Sequence, residues 1–281
     1  MSNALPNTGK VVRLGRVLNP KTNRAAVVAF DHGVHLGMIP GIENPGQTLE
    51  TLTEAGADAF LIGPGIARRF ASVFAGRGAP GMIVRLDWTN RWRDTAMLGT
   101  EEGRGRLISS VEGAARLGAD AVLVYMFVGY GDPNSEAEQM QRVAQVAEDC
   151  EKLGVGCIIE PMPRGLLVGE KSYDPEFVAM GSRMACELGA DILKTDYTGS
   201  AETFRKVVSA SFQPVLIAGG PKTSTTRESL EMVRGALTAG ASGMFIGRNV
   251  FQSPEPAQVM RTFCAMIHKN LSIEEATAST R

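Results

Sequence analysis

Leu188-Gly189-Ala190-Asp191-Ile192-Leu193-Lys194-Thr195 decides the fold, because it is the third copy of a pattern that recurs along the chain. The other copies open at Ala55-Gly56-Ala57-Asp58, Leu117-Gly118-Ala119-Asp120 and Ala239-Gly240-Ala241-Ser242. In each, a glycine suits the left-handed cap that stops a helix. Every copy leads into a short apolar run of the kind found in buried strands: Ala59-Phe60-Leu61-Ile62, Ala121-Val122-Leu123-Val124, Ile192-Leu193-Lys194 and Met244-Phe245-Ile246. Only the third run carries a lysine. A lysine that ends a buried strand loses solvation, which favours a neutral, nucleophilic amine. The same position also suits a lysine paired with a nearby carboxylate.

Outward from these four copies the alternation extends over the whole chain. Strands are expected at Ala25–Phe30, Ala59–Ile62, Met82–Leu86, Ala121–Tyr125, Gly156–Glu160, Ile192–Thr195, Pro214–Ile217 and Gly243–Ile246. Amphipathic helical stretches lie between them, among them Glu136–Leu153, Pro175–Leu188 and Arg227–Ala239. Eight strand–helix units without a long linker predict a single-domain (β/α)8 barrel, the TIM barrel of the α/β class, over residues 24–270. Residues 1–23 are expected to cap the barrel bottom and 271–281 to form a tail. An open doubly wound sheet is the alternative, but its dinucleotide signature is missing. Gly76-Arg77-Gly78-Ala79-Pro80-Gly81 matches GxGxxG, yet it precedes a strand where a dinucleotide site needs it to follow one.

Composition fits one large core: 281 residues, 44% hydrophobic, with a formal net charge of −1. No basic stretch points to nucleic acid or an anionic membrane, and no eighteen apolar residues run together. The opening Met1-Ser2-Asn3-Ala4-Leu5-Pro6 lacks an apolar signal core. Cys150, Cys157, Cys186 and Cys264 show no CxxC spacing and read as reduced, buried thiols. The expected location is therefore cytoplasmic.

In a barrel of this type chemistry sits at the C-terminal ends of the strands. Those ends carry Asp31-His32-Gly33, Asp87-Trp88, Glu160 to Arg164, Lys194-Thr195-Asp196-Tyr197, Ala218-Gly219-Gly220-Pro221-Lys222 and Gly247-Arg248-Asn249. Lys194 would then share one mouth with Asp31, an acid suited to proton transfer. The turns Gly219-Gly220 and Gly247-Arg248 fall where such barrels bind phosphate: glycines let backbone N–H groups approach the oxygens, and an arginine clamps the anion. Ordinary loop glycines are the plainer reading of the same turns. Asp31-His32-x-x-His35 offers two imidazoles at close spacing, but the remaining histidine, His268, is expected near the end of the last helix, far from the barrel mouth. No metal or other cofactor is expected. His32 reads as a hydrogen-bonding wall of the site and His35 as an exposed loop residue.

Taken together, Phe30-Asp31-His32-Gly33-Val34, Pro163-Arg164-Gly165, Lys194-Thr195-Asp196-Tyr197-Thr198-Gly199, Ala218-Gly219-Gly220-Pro221-Lys222 and Gly247-Arg248-Asn249 resemble the archaeal-type class I fructose-bisphosphate aldolases. The heptulosonate synthases and the autoinducer-2 phosphate thiolase are their close relatives. The resemblance covers nearly every unit from Arg24 onward. It implies that Lys194 forms a Schiff base and that Asp31 shuttles protons. It also implies that Gly219, Gly220, Gly247 and Arg248 hold a substrate phosphate, with His32 and Arg164 as further substrate contacts. A homo-oligomer, a decamer among its forms, is implied as well.

One position departs from the pattern. Aldolase members and the heptulosonate synthases read Tyr-Pro-Arg-Gly after the fifth strand, and that tyrosine is their acid/base, whereas the thiolase lacks it; here the run is Met162-Pro163-Arg164-Gly165. A thioether carries no useful proton. Glu160, two residues earlier and so on the same face of the strand, is the candidate substitute. A salt bridge to Arg85 or Arg164 is its structural alternative. Tyr125 and Tyr197 are weaker candidates. The expected activity is a Schiff-base aldolase acting on a phosphorylated ketose. The alternatives are the transaldolase- or thiolase-type lysine chemistry of the relatives and a non-catalytic sugar-phosphate-binding barrel.

Overall fold

Each copy of the repeat ends a helix and ties the next strand to its neighbour. Gly56, Gly118, Gly189 and Gly240 all have φ between 89° and 104°, a conformation that glycine adopts without steric cost. The aspartate two residues on closes a two-point clip. Asp58 accepts a hydrogen bond from Ala26 N at 2.6 Å, Asp120 from Met82 N at 2.8 Å and Asp191 from Cys157 N at 2.7 Å. The backbone N–H of each aspartate donates in return to the carbonyl of the same residue. In the fourth copy Ser242 keeps only the backbone half, donating to Val215 O.

The computed structural model describes residues 7–100 and 104–280. Eight parallel strands close into a barrel: β1 Ala25–Ala29, β2 Ala59–Ile62, β3 Gly81–Arg85, β4 Ala121–Val128, β5 Gly156–Pro163, β6 Ile192–Thr195, β7 Val215–Ala218 and β8 Gly243–Ile246. Every strand pairs with its sequence neighbours, and β8 pairs back onto β1 with Ala25 opposite Gly243. This is the expected (β/α)8 barrel. Two strands run longer than expected, β4 by three residues and β5 by three, and they stay paired from Ala121↔Gly156 to Val128↔Pro163. A two-residue antiparallel ribbon, Asp87–Trp88 with Arg106–Leu107, stands over the end of β3.

Strand alternation divides the core in two. Inward residues such as Val27, Leu61, Ile83, Leu123, Ile158, Ile192, Leu216 and Phe245 fill the barrel. Residues of opposite parity, such as Val28, Phe60, Val84, Ile159 and Leu193, pack under the surrounding helices. The helix Thr8–Leu14 and the turn after it deliver Val17 and Leu18 to the lower end of the inner cluster. Lys10 and Arg16 reach the clip carboxylates Asp191 and Asp120 at 3.1 and 3.6 Å. The first six residues of the expected cap and the last of the expected tail lie outside the described residues. Within the tail, Ile273–Ser279 is a helix opened by a Ser272/Glu275 capping box, and its Ile273 and Ala276 join the outer core. Among the described residues no helix is long and apolar enough to cross a membrane.

Candidate active site

The inward parity that buries Ile83, Leu123, Ile158 and Ile192 continues upward to Arg85, Tyr125, Glu160 and Lys194, so one polar layer lies directly on the apolar plug. Burial makes the layer strongly coupled. Arg85 is fully buried and gives one hydrogen bond to each of three carboxylates: Nε to Asp31 Oδ2 at 2.8 Å, Nη1 to Asp87 Oδ1 at 3.2 Å and Nη2 to Glu160 Oε2 at 3.0 Å. Its guanidinium carbon lies 3.9 Å from the centre of the Tyr125 ring. The other oxygen of Glu160 is 2.8 Å from Lys194 Nζ, which also stands 5.1 Å from the Phe245 ring centre. Asp87 is spent on structure, because its second oxygen accepts from Tyr125 N at 2.9 Å.

Charge in this layer is set by the pairing. Burial alone would push the Asp31 carboxyl up, but Arg85 and Lys194 outweigh it and hold Asp31 well below the usual carboxylate range. Asp31 is therefore ionised. Burial lowers His32 to about 4, with Arg248 and Lys194 adding to the effect and Asp31 opposing it. His35 also falls to about 4, through burial and the nearby Arg85. Both imidazoles are neutral at pH 7. The Tyr125 phenol, buried beside Glu160 and Asp31, is raised well above its ordinary value despite Arg85 and stays protonated.

The layer forms the floor of a cavity of about 220 Å³ at the C-terminal mouth. The part of its wall between Lys194 and Asp31 is built from the last two turns. Gly219, Gly220, Gly247 and Arg248 line it, and Asn249 laces them together by donating to Gly219 O at 3.1 Å and accepting from Thr223 N at 2.8 Å. Gly247 is required by close approach: a Cβ there would lie 2.3 Å from Ala29 O and 2.5 Å from His32 Cε1. Arg248 donates to Gly220 O at 2.9 Å, which curls the turn round its side chain.

A family model described as DeoC/LacD family aldolase matches residues 25–253. The chain belongs to this family. An uncharacterised aldolase of Saccharolobus solfataricus is 38% identical over 268 residues, which is 95% of this chain and 97% of that one. A 2-amino-3,7-dideoxy-D-threo-hept-6-ulosonate synthase of Halobacterium salinarum is 37% identical over 98% of this chain and 97% of its own. Among solved structures, a Schiff-base-forming fructose-1,6-bisphosphate aldolase superposes with a TM-score of 0.79 at 30% identity, covering 92% of this chain and 99% of that one. An archaeal fructose-1,6-bisphosphate aldolase with its catalytic lysine bound to a carbinolamine gives 0.80 at 29%, with the same coverage.

In this aldolase the nine residues given a catalytic or binding role from the sequence line one cavity: Asp31, His32, Glu160, Arg164, Lys194, Gly219, Gly220, Gly247 and Arg248. Their settings differ. Lys194 is both at the mouth and ion-paired, so the two readings of its position describe one arrangement. Glu160 bridges to Arg85, one of the two partners expected of it, and additionally to Lys194. The guanidinium of Arg164 is committed to Asp196 Oδ2 at 2.7 Å and to the carbonyls of Pro163 and Ser172, and it faces Tyr173. It thus shapes the rim from a fixed position. Tyr197 packs on Phe204 outside the cavity. His35 corrects the sequence reading: it is 3% exposed and inside the helix His32–Leu36, facing the cavity. Sequence reasoning also passed over the triple role of Arg85. Its signal was an arginine at inward parity in an otherwise apolar strand. His268 pairs with Asp58 at the opposite end of the barrel, and among the described residues no metal-binding group of three His, Cys, Asp or Glu side chains is gathered.

Proposed function

We propose that this aldolase forms a Schiff base between Lys194 and the ketone of a phosphorylated sugar, and that it makes or breaks the adjacent carbon–carbon bond. One observation carries the reading: the buried Lys194 amine, 2.8 Å from Glu160, faces a cavity that the glycine–arginine turn pair also lines. The turns hold the phosphate and set the distance from it to the amine. Glu160 takes a proton from the Lys194 ammonium, freeing the lone pair that attacks the ketone. The same proton returns to the carbinolamine hydroxyl, which leaves as water and produces the iminium. In the cleavage direction the substrate hydroxyl surrenders its proton toward Asp31, the carbon–carbon electrons move into the iminium, and an aldehyde departs. The enamine left on Lys194 is reprotonated, and hydrolysis frees the ketone phosphate.

A second reading rests on Met162, whose thioether stands where the aldolase pattern places a phenol. The same lysine would then serve the thiolase-type chemistry of the relatives that lack this tyrosine; the similarity to a heptulosonate synthase supports a transfer or condensation on separate grounds. A binding barrel without catalysis would use the phosphate turns alone. A cytoplasmic location and a homo-oligomer belong to the same proposal; sedimentation of the purified chain measures the latter.

Borohydride reduction in the presence of a panel of ketose phosphates tests the proposal. The expected result is irreversible attachment at Lys194 and inactivation. Lys194→Arg keeps the charge without the nucleophile, so trapping and turnover should fall to background while phosphate binding persists. Normal turnover in that variant, or no trapping with any ketose phosphate, would sink the Schiff-base reading.

A further inference from the structure

His35 is a buried imidazole that the proposed lysine chemistry leaves idle, and its two nitrogens are in unlike settings. Nδ1 lies 3.2 Å from Thr89 O. A carbonyl oxygen only accepts, so Nδ1 carries the hydrogen and Nε2 is left as a bare acceptor. Nε2 is buried without a hydrogen-bond partner and stands 3.9 Å from Asp31 Oδ2. Two acceptors therefore face each other with no donor between them. A buried polar atom left unsatisfied costs free energy of about 1–3 kcal/mol, so its retention calls for a reason. Spacing supplies the geometry: Asp31 and His35 are four residues apart across one turn of helix, on the same face.

We infer that Asp31 and His35 act as a dyad, in which His35 Nε2 accepts the proton of the substrate hydroxyl and Asp31 stabilises the imidazolium so formed. The inference rests on the aldolase reading and deepens it, by naming where the hydroxyl proton goes. The balance is simple. The O–H bond breaks and an Nε2–H bond forms, while the oxygen becomes the carbonyl of the departing aldehyde. The carbon–carbon electron pair ends in the enamine on Lys194. Reprotonation of that enamine carbon can draw on the same proton, which resets the dyad.

Charge around His35 fits this role. Arg85 on β3 opposes protonation, while Asp31 and the more distant Glu160 on β5 favour it. The Tyr125 ring on β4 lies 5.7 Å away, and Arg93 donates to the backbone carbonyl of His35 at 2.7 Å, fixing its helix without touching the ring. Between the two members of the dyad the imidazole is the better base, since Asp31 is held well below the usual range and His35 near 4. His32 does not qualify in the same way. Its Nδ1 is also 3.9 Å from Asp31 and unpartnered, but no acceptor fixes which of its nitrogens carries the hydrogen.

Two measurements on the full chain decide the matter. Nitrogen-15 NMR of labelled histidines, without substrate, should show His35 neutral at pH 7 as the Nδ1–H tautomer. A signal of the Nε2–H tautomer overturns the dyad. In the second, His35→Asn retains a donor toward Thr89 and removes the proton acceptor. With a ketose phosphate that traps on Lys194, kcat should fall about a hundred- to ten-thousandfold while KM and borohydride trapping stay within about twofold. Unchanged kcat with normal trapping removes His35 from the mechanism. If the wild-type chain traps with no ketose phosphate, the aldolase reading itself fails, and the tautomer still reports on the dyad. If His35→Asn does not fold, the tautomer alone decides.

Discussion

Glu160 joins two cations across one carboxylate, Lys194 through Oε1 and Arg85 through Oε2. An oxygen 2.8 Å from the nucleophile can exchange a proton with it without rearrangement, whereas Asp31 Oδ2 is taken up by Arg85 Nε. Glu160→Gln preserves shape but neither accepts nor returns the proton. Turnover should fall about a hundred- to ten-thousandfold, with borohydride trapping still reaching completion at longer times. Wild-type turnover would reduce Glu160 to a tether for Lys194. Much of this was legible at the level of single residues. Lys194 stood out against three apolar sibling runs, and parity alone put Glu160 on the Met162 face. His35 was not legible, because its helix has only five residues and is too short to show a period. Thr89 and Arg93, more than fifty residues away, fix its burial.

Strands and turns carry the next layer of information. Three strand expectations, Ala59–Ile62, Ile192–Thr195 and Gly243–Ile246, coincide with the structure, and each follows a copy of the glycine repeat that marks its start. The fifth strand was expected to end at Glu160, yet it runs on through Pro161 and Pro163, residues that ordinarily interrupt a ladder. They are tolerated because β5 pairs with β6 only as far as Ile159, so their missing N–H groups lie beyond that ladder. The clip aspartates were quoted as part of the repeat, but their grip on the neighbouring strand depends on pairing that only barrel closure defines. Asp120 is the buried example, with Oδ2 accepting from Met82 N and Oδ1 near Arg16. Asp120→Ala leaves the Met82 N–H without this partner, so the chain should lose about 1–3 kcal/mol of stability in urea unfolding. Because the clip is at the end of the barrel away from Lys194, kcat at 25 °C should remain within about twofold. A large kcat loss without a stability change would contradict this division between the two ends.

The barrel separates an apolar inner cluster from a polar upper layer, and the polar layer makes stability depend on pH. His32 and His35, each lowered from 6.5 to about 4, bind fewer protons in the folded than in the unfolded chain between those values. Acidification through that window therefore favours the unfolded state. The stability is present above about 6.5 and is lost as pH falls toward 4, at about 3 kcal/mol for each ring. Asp31 works in the same direction but lower, since its depressed carboxyl contributes stability that is present above about 3.9 and lost only below the window. Asp87, Asp120, Asp191 and Asp196 oppose it: burial raises them, so their contribution is present below about 3.9 and is lost as pH rises through their folded values. A single pH profile mixes these signs, and a difference between two profiles separates them. His35→Asn removes one lowered imidazole and leaves the four raised carboxylates in place. Urea unfolding at a series of pH values should show the wild-type chain losing about 3 kcal/mol more than the variant between pH 7 and 4, with the gap opening below about pH 6.5. Parallel profiles would mean that His35 titrates as an exposed histidine does, and the acid sensitivity in this window would then rest on His32 and other groups.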